Sequence, residues 1–412
     1  MKVTAVETIR LDEHPQMLWV QVHTDTGLVG LGETCLGPAT VEAHVHETVA
    51  PYLIGKDPRQ VDRHARALSD VFVGYQGTGA ETRGNSAVDI ALWDIRGQAA
   101  DTPLVDLLGG ASRESIRIYN TCAGYQYGRG NKGALKAGDR ASDGDRGLPD
   151  GEPPGPYEDL QAAIERPGEL AQDLLSQGIR GMKIWPFDSY ALATNGHDIA
   201  PHELATGVAV IQQVRDAVGD AMDVMVELHA VWHLPAAVKI AKAVEPLGPY
   251  WFEDAVKGDN LEAAARFAAS THVPVAMGET LAGRSAFSSM IRQGAARIIM
   301  FDVGWVGGLS EAKKIATLAE TYDLPIAPHD CTGPVVLTAG TNLSLNAPNA
   351  LLQETVRAYY TGWYRDIVTE LPTVSGGRIT APDGPGLGTA LRPGVLQRPD
   401  AHVRRSTGAD LR

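Results

Sequence analysis

The spacing of apolar residues along this chain changes near residue 116, and the change separates two kinds of structure. Before it, Val3 to Arg10 and Leu18 to Thr24 read as two strands joined across His14-Pro15. Asp25-Thr26-Gly27 is a turn signal leading into a third apolar run, Leu28 to Cys35. This predicts an antiparallel meander. Apolar residues at helical spacing then run through SAVDIALWDIRGQAADTPLVDLLGG and stop at Pro103 and the Gly109-Gly110 pair. Residues 1–115 therefore read as an α+β domain.

From Ile116 onward, short β-rich runs alternate with amphipathic stretches: IRIYNTC, RGMKIWPF, DVMVEL, YWFEDA, PVAMGE, RIIMFDV, LPIAPH and ALLQET. Strands alternating with helices of this length pair in parallel through right-handed crossovers, and eight such units can close into a (β/α) barrel over 116–355. An open doubly wound sheet is the other α/β architecture, but no Gly-rich phosphate fingerprint follows the first run. A barrel takes roughly 250 residues, so a 412-residue chain has room for it and a capping domain. The remainder, 356–412, contains GGRITAPDGPGLG, a strand between turns expected to return to the first domain. Near the end His402, Arg404 and Arg405 make a small basic cluster, expected to be solvated surface.

Tyr125 to Tyr157 is rich in Gly, Pro and charge and has no apolar period, so it cannot build a core. It follows the first barrel strand and belongs at the C-terminal mouth, either as a lid or substrate contact or as a tolerated surface insertion.

Charge narrows the partners. With 36 basic and 50 acidic residues the formal net charge is -14, which repels phosphate backbones and anionic lipid, so neither nucleic acid nor membrane is expected. A small anionic substrate meets the same field and needs a bound cation or a local basic cluster to attract it. The N-terminus turns polar before a signal-like stretch can form, and a cytoplasmic protein is expected. Cys35, Cys122 and Cys331 are odd in number and far apart, which suits reduced thiols.

Acidic or His residues stand at the ends of consecutive barrel strands: Glu227, Glu253, Glu279, Asp302, His329 and Glu354. Strand ends of a parallel barrel converge on one mouth, so these six should face a common cavity. Glu227, Glu253 and Glu279 on neighbouring strands would repel one another unless a cation sat between them. All-oxygen ligation favours magnesium, with manganese as a substitute; a carboxylate cluster without metal, as in some glycosidases, is the other reading. Asp302 and His329 end adjacent strands, so the carboxylate could orient the imidazole as a general base. His229 follows Glu227 by two, and period two puts both on one face of the strand. Lys183 and Trp185 share a face in the same way, the first a cation near the substrate, the second a wall.

These residues resemble the mandelate racemase subgroup of the enolase superfamily, and the resemblance covers nearly the whole chain. It is carried by Ala87-Val88-Asp89-Ile90-Ala91-Leu92-Trp93-Asp94, by Pro103-Leu104 with Leu108-Gly109-Gly110, and in the barrel by Phe252-Glu253-Asp254, Gly278-Glu279, Asp302 before Gly307-Gly308, and His329. It implies a modified TIM barrel under an N-terminal cap, with a His base and magnesium stabilising an enediolate. Two departures stand out. Many relatives carry Lys-x-Lys on strand two, where this chain has Lys183-Ile184-Trp185, and many have Asp where Glu227 stands. Glu227-Leu228-His229 is similar to the Asp-x-His of galactonate-dehydratase-like members, in which the His serves the leaving group.

The expectation is an acid sugar dehydratase. His329 removes the proton beside the substrate carboxylate, Glu354 hydrogen-bonds the developing charge and His229 protonates the departing 3-hydroxyl. An epimerase, racemase or cycloisomerase would share the enediolate, and a non-catalytic binding protein with a relict site is the reading from another class. Specificity is expected from the cap loops at His14 and at Tyr75 to Thr78 and from the 125–157 insertion. A homo-oligomer is implied by the resemblance.

Overall fold

The computed structural model describes residues 1–70, 77–127 and 155–410. Tyr75 and residues 128–154 of the insertion lie outside the described residues.

The meander is β1 (Val3–Leu11), β2 (His14–Thr24) and β3 (Val29–Cys35), paired antiparallel in that order. One face is covered by the helix Ala80–Ala100, whose Ala87, Val88, Ala91 and Ile95 pack on Val6, Val20 and Val22. Glycines 30 and 32 allow that contact. A Cβ on Gly32 would lie 1.8 Å from the Ala87 carbonyl oxygen, and one on Gly30 2.0 Å from that of Ala91. Only a residue without a side chain lets helix backbone approach strand backbone so closely.

The barrel strands are β4 (Ile116–Thr121), β5 (Gly181–Ile184), β6 (Asp223–Glu227), β7 (Trp251–Glu253), β8 (Val275–Met277), β9 (Ile298–Ile299) and β10 (Gln353–Thr355). Each pairs in parallel with the next as far as β9. Ile326 bridges Ile299 on one side and Ala350 on the other, and β10 pairs with β4, so the ring closes with Leu324 to His329 in the seventh position. Tyr119, Met225, Trp251, Ala276, Met300, Ala327 and Leu352 fill its interior. They form a packed floor of the kind such barrels have.

The tail serves both halves. GGRIT does not return to the cap: β11 (Thr373–Ser375) and β12 (Arg378–Thr380) form a hairpin, and β12 adds antiparallel to β4, Ile379 opposite Ile116. The reason is an open edge, because β10 pairs β4 only from Ile118 onward and leaves its start free. Residues further on do reach the cap. Leu387 N–H donates to Asp94 on the long helix at 2.9 Å, and β13 (Ala401–Thr407) joins the outer edge of β1. His402, Arg404 and Arg405 lie on β13 and pair with Asp12, Glu47 and Glu7.

Buried carboxylates clamp cap to barrel. Glu33 Oε1 accepts the Val335 and Val336 N–H groups at 3.0 and 2.9 Å, and Asp89 accepts both the N–H and the hydroxyl of Ser310 at 2.9 and 2.6 Å. Those donors open the helices Pro334–Asn346 and Gly308–Thr321, whose first N–H groups have no partner within the helix and favour negative charge. Among the described residues no helix is long and apolar enough to cross a membrane, and Cys35, Cys122 and Cys331 are free thiols.

Candidate active site

Glu227 ends β6 and Glu253 ends β7, and the two are direct partners across the pair. Glu279 follows β8 by two residues. One oxygen from each of the three carboxylates lies within 4.8 Å of the others. Each is held from a different side. Trp251, two residues back and on the same face, donates from the barrel floor to Glu253 Oε2 at 2.8 Å. Glu227 Oε1 accepts the Leu228 and His229 N–H groups at 2.9 and 2.6 Å, which leaves Oε2 buried with no hydrogen bond. A buried oxygen that accepts no hydrogen bond, inside a cluster of three carboxylates, is what a hard cation would satisfy, so these residues fit a divalent ion bound through oxygen.

Lys183 is the resident counter-charge. Its ammonium bonds Glu253 Oε1, lies 2.7 Å from Glu354 Oε1 and 3.4 Å from Glu227 Oε2, all of them buried. Even so, burial and the adjacent Glu227 charge drive the Glu253 carboxyl well above its ordinary range. The cluster is short of positive charge.

His329 and Asp302 are bridge partners where the sixth and seventh strand positions run out, which sets their side chains in register. Asp302 Oδ2 lies 2.7 Å from His329 Nδ1 and accepts the Thr332 hydroxyl at 2.6 Å, while Oδ1 accepts the Gly304 N–H at 2.6 Å. With Asp302 fully bonded, Nε2 of the ring is left facing Glu279 Oε2 at 3.5 Å. Burial opposes a charged imidazole, but Glu279, Glu354 and Asp302 outweigh it and raise His329 to about 10.

His229 faces this dyad from the third strand, and positions three and seven of eight lie on opposite sides of the ring. The period-two reason for its placement does not hold. β6 stops at Glu227, and His229 and Ala230 turn left-handed at φ 43° and 54°. Non-glycine residues adopt that conformation at a cost, here offset by the two N–H bonds to Glu227. His229 Nδ1 lies 2.5 Å from Asp188 Oδ2, and its Nε2 lies 3.3 Å from the Tyr127 hydroxyl. Burial lowers its pKa, but Glu227 and Asp188 prevail and raise it to about 9.

The other expected residues fall in several places. Trp185 stands between Tyr127 and His229, its ring centre 5.2 and 5.4 Å from theirs, and walls the His229 side. Glu354 is fully engaged, Oε1 by Lys183 and Thr121 and Oε2 by the Asp330 N–H at 2.8 Å. Burial works against its charge, yet Lys183 and His329 hold it at about 2, so it is an ionised acceptor with no proton to donate. His14 is buried at the cap seam, stacked on Trp363 with centroids 4.2 Å apart and edge-on to Trp19. Asp188 and Tyr127 carried no signal in the sequence. Asp188 opens a helix five residues past Lys183, and Tyr127 lies just before the undescribed part of the insertion.

Residues 3–109 match the family model of the mandelate racemase/muconate lactonizing enzyme N-terminal domain, and 167–395 match the enolase C-terminal domain-like model. A D-galactonate dehydratase from Pectobacterium atrosepticum is 31% identical over 361 residues, 86% of this chain and 81% of that protein. A D-xylonate dehydratase from Haloferax volcanii is 28% identical over 98% of this chain and 89% of its own length. Among solved structures, an enolase of the mandelate racemase subgroup from Agrobacterium tumefaciens is 46% identical and superposes with a TM-score of 0.86 over 100% of both chains. With both domain models matched and a three-glutamate cluster flanked by a His-Asp dyad at the barrel mouth, the chain belongs to the mandelate racemase/muconate lactonizing enzyme family of the enolase superfamily, on its galactonate-dehydratase-like side.

Proposed function

We propose that the chain is a hydro-lyase that removes water from a sugar acid and yields a 2-keto-3-deoxy acid. The observation that carries this reading is the pair of carboxylate-oriented imidazoles, His329 with Asp302 and His229 with Asp188, set on opposed strands across the three glutamates. Relatives named D-galactonate dehydratase and D-xylonate dehydratase support the same class of substrate. Bound by Glu227, Glu253 and Glu279, a magnesium ion, or manganese in its place, would fix the substrate carboxylate and stabilise charge developing on it.

In this reading a cation held by the glutamates would cancel the Glu279 charge that raises His329. The neutral imidazole then takes the proton from the carbon next to the carboxylate at Nε2, with Asp302 fixing the ring through Nδ1. His229, charged through Asp188 and Glu227, gives its Nε2 proton to the departing 3-hydroxyl. Tyr127 and Trp185 hold that ring and shield it from water. Lys183 pairs with Glu227, Glu253 and Glu354, and Glu354 fixes the peptide after His329 rather than donating to the substrate. His14 supports the cap-side wall through Trp363.

The same opposed pair would let His229 return a proton to the other face, which would make the protein an epimerase or racemase. Incubation of a sugar-acid library with magnesium tests both. A 2-keto acid detected with semicarbazide supports dehydration. Exchange of the α-proton in heavy water with no keto acid supports the isomerase, and the absence of magnesium binding would leave only a binding protein with a relict site. Assembly as a homo-oligomer belongs to this reading and is measured by light scattering.

A further inference from the structure

The cap brings to the neighbourhood of His329 a cation that the chemistry above does not use. Arg83 lies in the first turn of the helix Ala80–Ala100, half-buried, with its guanidinium carbon 5.6 Å from the centre of the Trp305 ring. Trp305 in turn lies against His329, ring centres 5.1 Å apart and tilted by 36°. Cap cation, barrel indole and imidazole are thus neighbours in a row. The Arg83 side chain has this ring contact and, among the described residues, no ion pair or hydrogen bond. In a chain with 50 acidic residues, a guanidinium left without a carboxylate beside an active site stands ready for one from outside.

The indole supplies the second observation. Trp305 is 8% exposed, and among the described residues its buried Nε1 makes no hydrogen bond to oxygen or nitrogen and has the Cys35 thiol, a weak acceptor, as its neighbour. Buried N–H donors in native proteins have partners, so this one too awaits an acceptor. One donor comes from the cap and one from the barrel, and both lie at the same indole. A group with two acceptor oxygens and negative charge matches them; a lone hydroxyl would leave the guanidinium charge unanswered.

We propose that Arg83 and Trp305 Nε1 form a distal subsite for a second carboxylate, so that the preferred substrate is a sugar diacid with one carboxylate at the glutamate cluster and the other under the cap. This rests on the sugar-acid reading above and narrows it to acids charged at both ends. It also answers the adverse net charge at the far end of the ligand, where the glutamates' cation does not reach.

The test is binding, with turnover blocked. His329→Asn protein with magnesium is titrated calorimetrically with six-carbon sugar diacids, each compared with the monoacid of the same configuration that ends in CH2OH. We expect at least one diacid to bind tenfold or more tighter than its monoacid. Adding Arg83→Gln should remove that preference and leave monoacid affinity within about threefold. Arg83→Lys should retain part of it, and Trp305→Phe, which keeps the ring and deletes Nε1, should lose part. Unchanged thermal midpoints identify variants that fold. Monoacids binding as well as every diacid, or a diacid preference that survives Arg83→Gln, overturns the distal subsite and leaves the dehydratase reading intact. If neither class binds while magnesium does, both readings fall.

Discussion

Asp188 Oδ2 lies 2.5 Å from His229 Nδ1, on the far side of the barrel mouth from the Asp302–His329 pair. Each imidazole thus has its own carboxylate to fix the ring and to favour its charge. In the proposed dehydration their tasks differ, because one would meet the α-proton and the other the hydroxyl. We expect His329→Asn to abolish α-proton exchange in heavy water. His229→Asn and Asp188→Asn should spare exchange and lower dehydration by about 10²–10⁴-fold. Proton NMR follows exchange and semicarbazide follows product; loss of exchange in Asp188→Asn would remove the division of labour.

Lys183 pairs with Glu227, Glu253 and Glu354 in a buried space. Replacing it with Met leaves three acids without their cation, which costs about 3–5 kcal/mol when a buried pair loses one partner. A divalent ion would then face less competition for the glutamates. Lys183→Met should therefore unfold at lower denaturant in EDTA, bind magnesium more tightly than the parent by calorimetry, and regain more stability from it. Equal magnesium affinity in the two proteins would show that Lys183 does not compete for the site.

Stability should fall as pH rises from about 5 to 9. Burial raises Glu33 to about 8 and Asp89 to about 7, both above their unfolded values. In that window the native state holds protons that the unfolded chain has released, so its advantage is complete below the unfolded pKa and is lost as pH passes the folded one. A single such group contributes a slope of up to about 1.4 kcal/mol per pH unit. Glu33→Gln, which stays neutral, should flatten the curve of unfolding free energy against pH. An unchanged slope would mean that Glu33 is ionised at neutral pH by its three donors.

Gly32→Ala should destabilise the cap by about 3 kcal/mol, since its methyl would meet helix backbone that cannot rotate away. Denaturant unfolding of Gly32→Ala beside Gly27→Ala separates crowding from strain. Gly27 has positive φ but open space around it. A smaller loss at Gly32 than at Gly27 would refute the crowding account.

Much of the site was legible because a parallel barrel turns sequence position into spatial position. A carboxylate at the end of each strand run has one place to go, so Glu227, Glu253, Glu279 and His329 could be grouped before any coordinates. His229 shows where that logic stops. Its neighbourhood to Glu227 was read from strand periodicity, yet two left-handed residues put it where it is. Asp188 and Tyr127 come from connections between strands, whose path no periodic pattern encodes. The return of GGRIT to β4 rather than to the cap depended on which sheet edge was left unpaired.

The order of apolar runs and the residues closing them determined by themselves that this chain makes a capped barrel with an acidic mouth, because period and strand end are local properties. Tertiary structure alone decided which acid carries which charge. Glu354 is an ionised anchor, Glu253 is driven upward and each histidine has a chosen carboxylate, and these outcomes depend on distances of a few ångströms between segments far apart in the chain. Coulomb energy in a buried space depends steeply on such distances, and a sequence does not contain them.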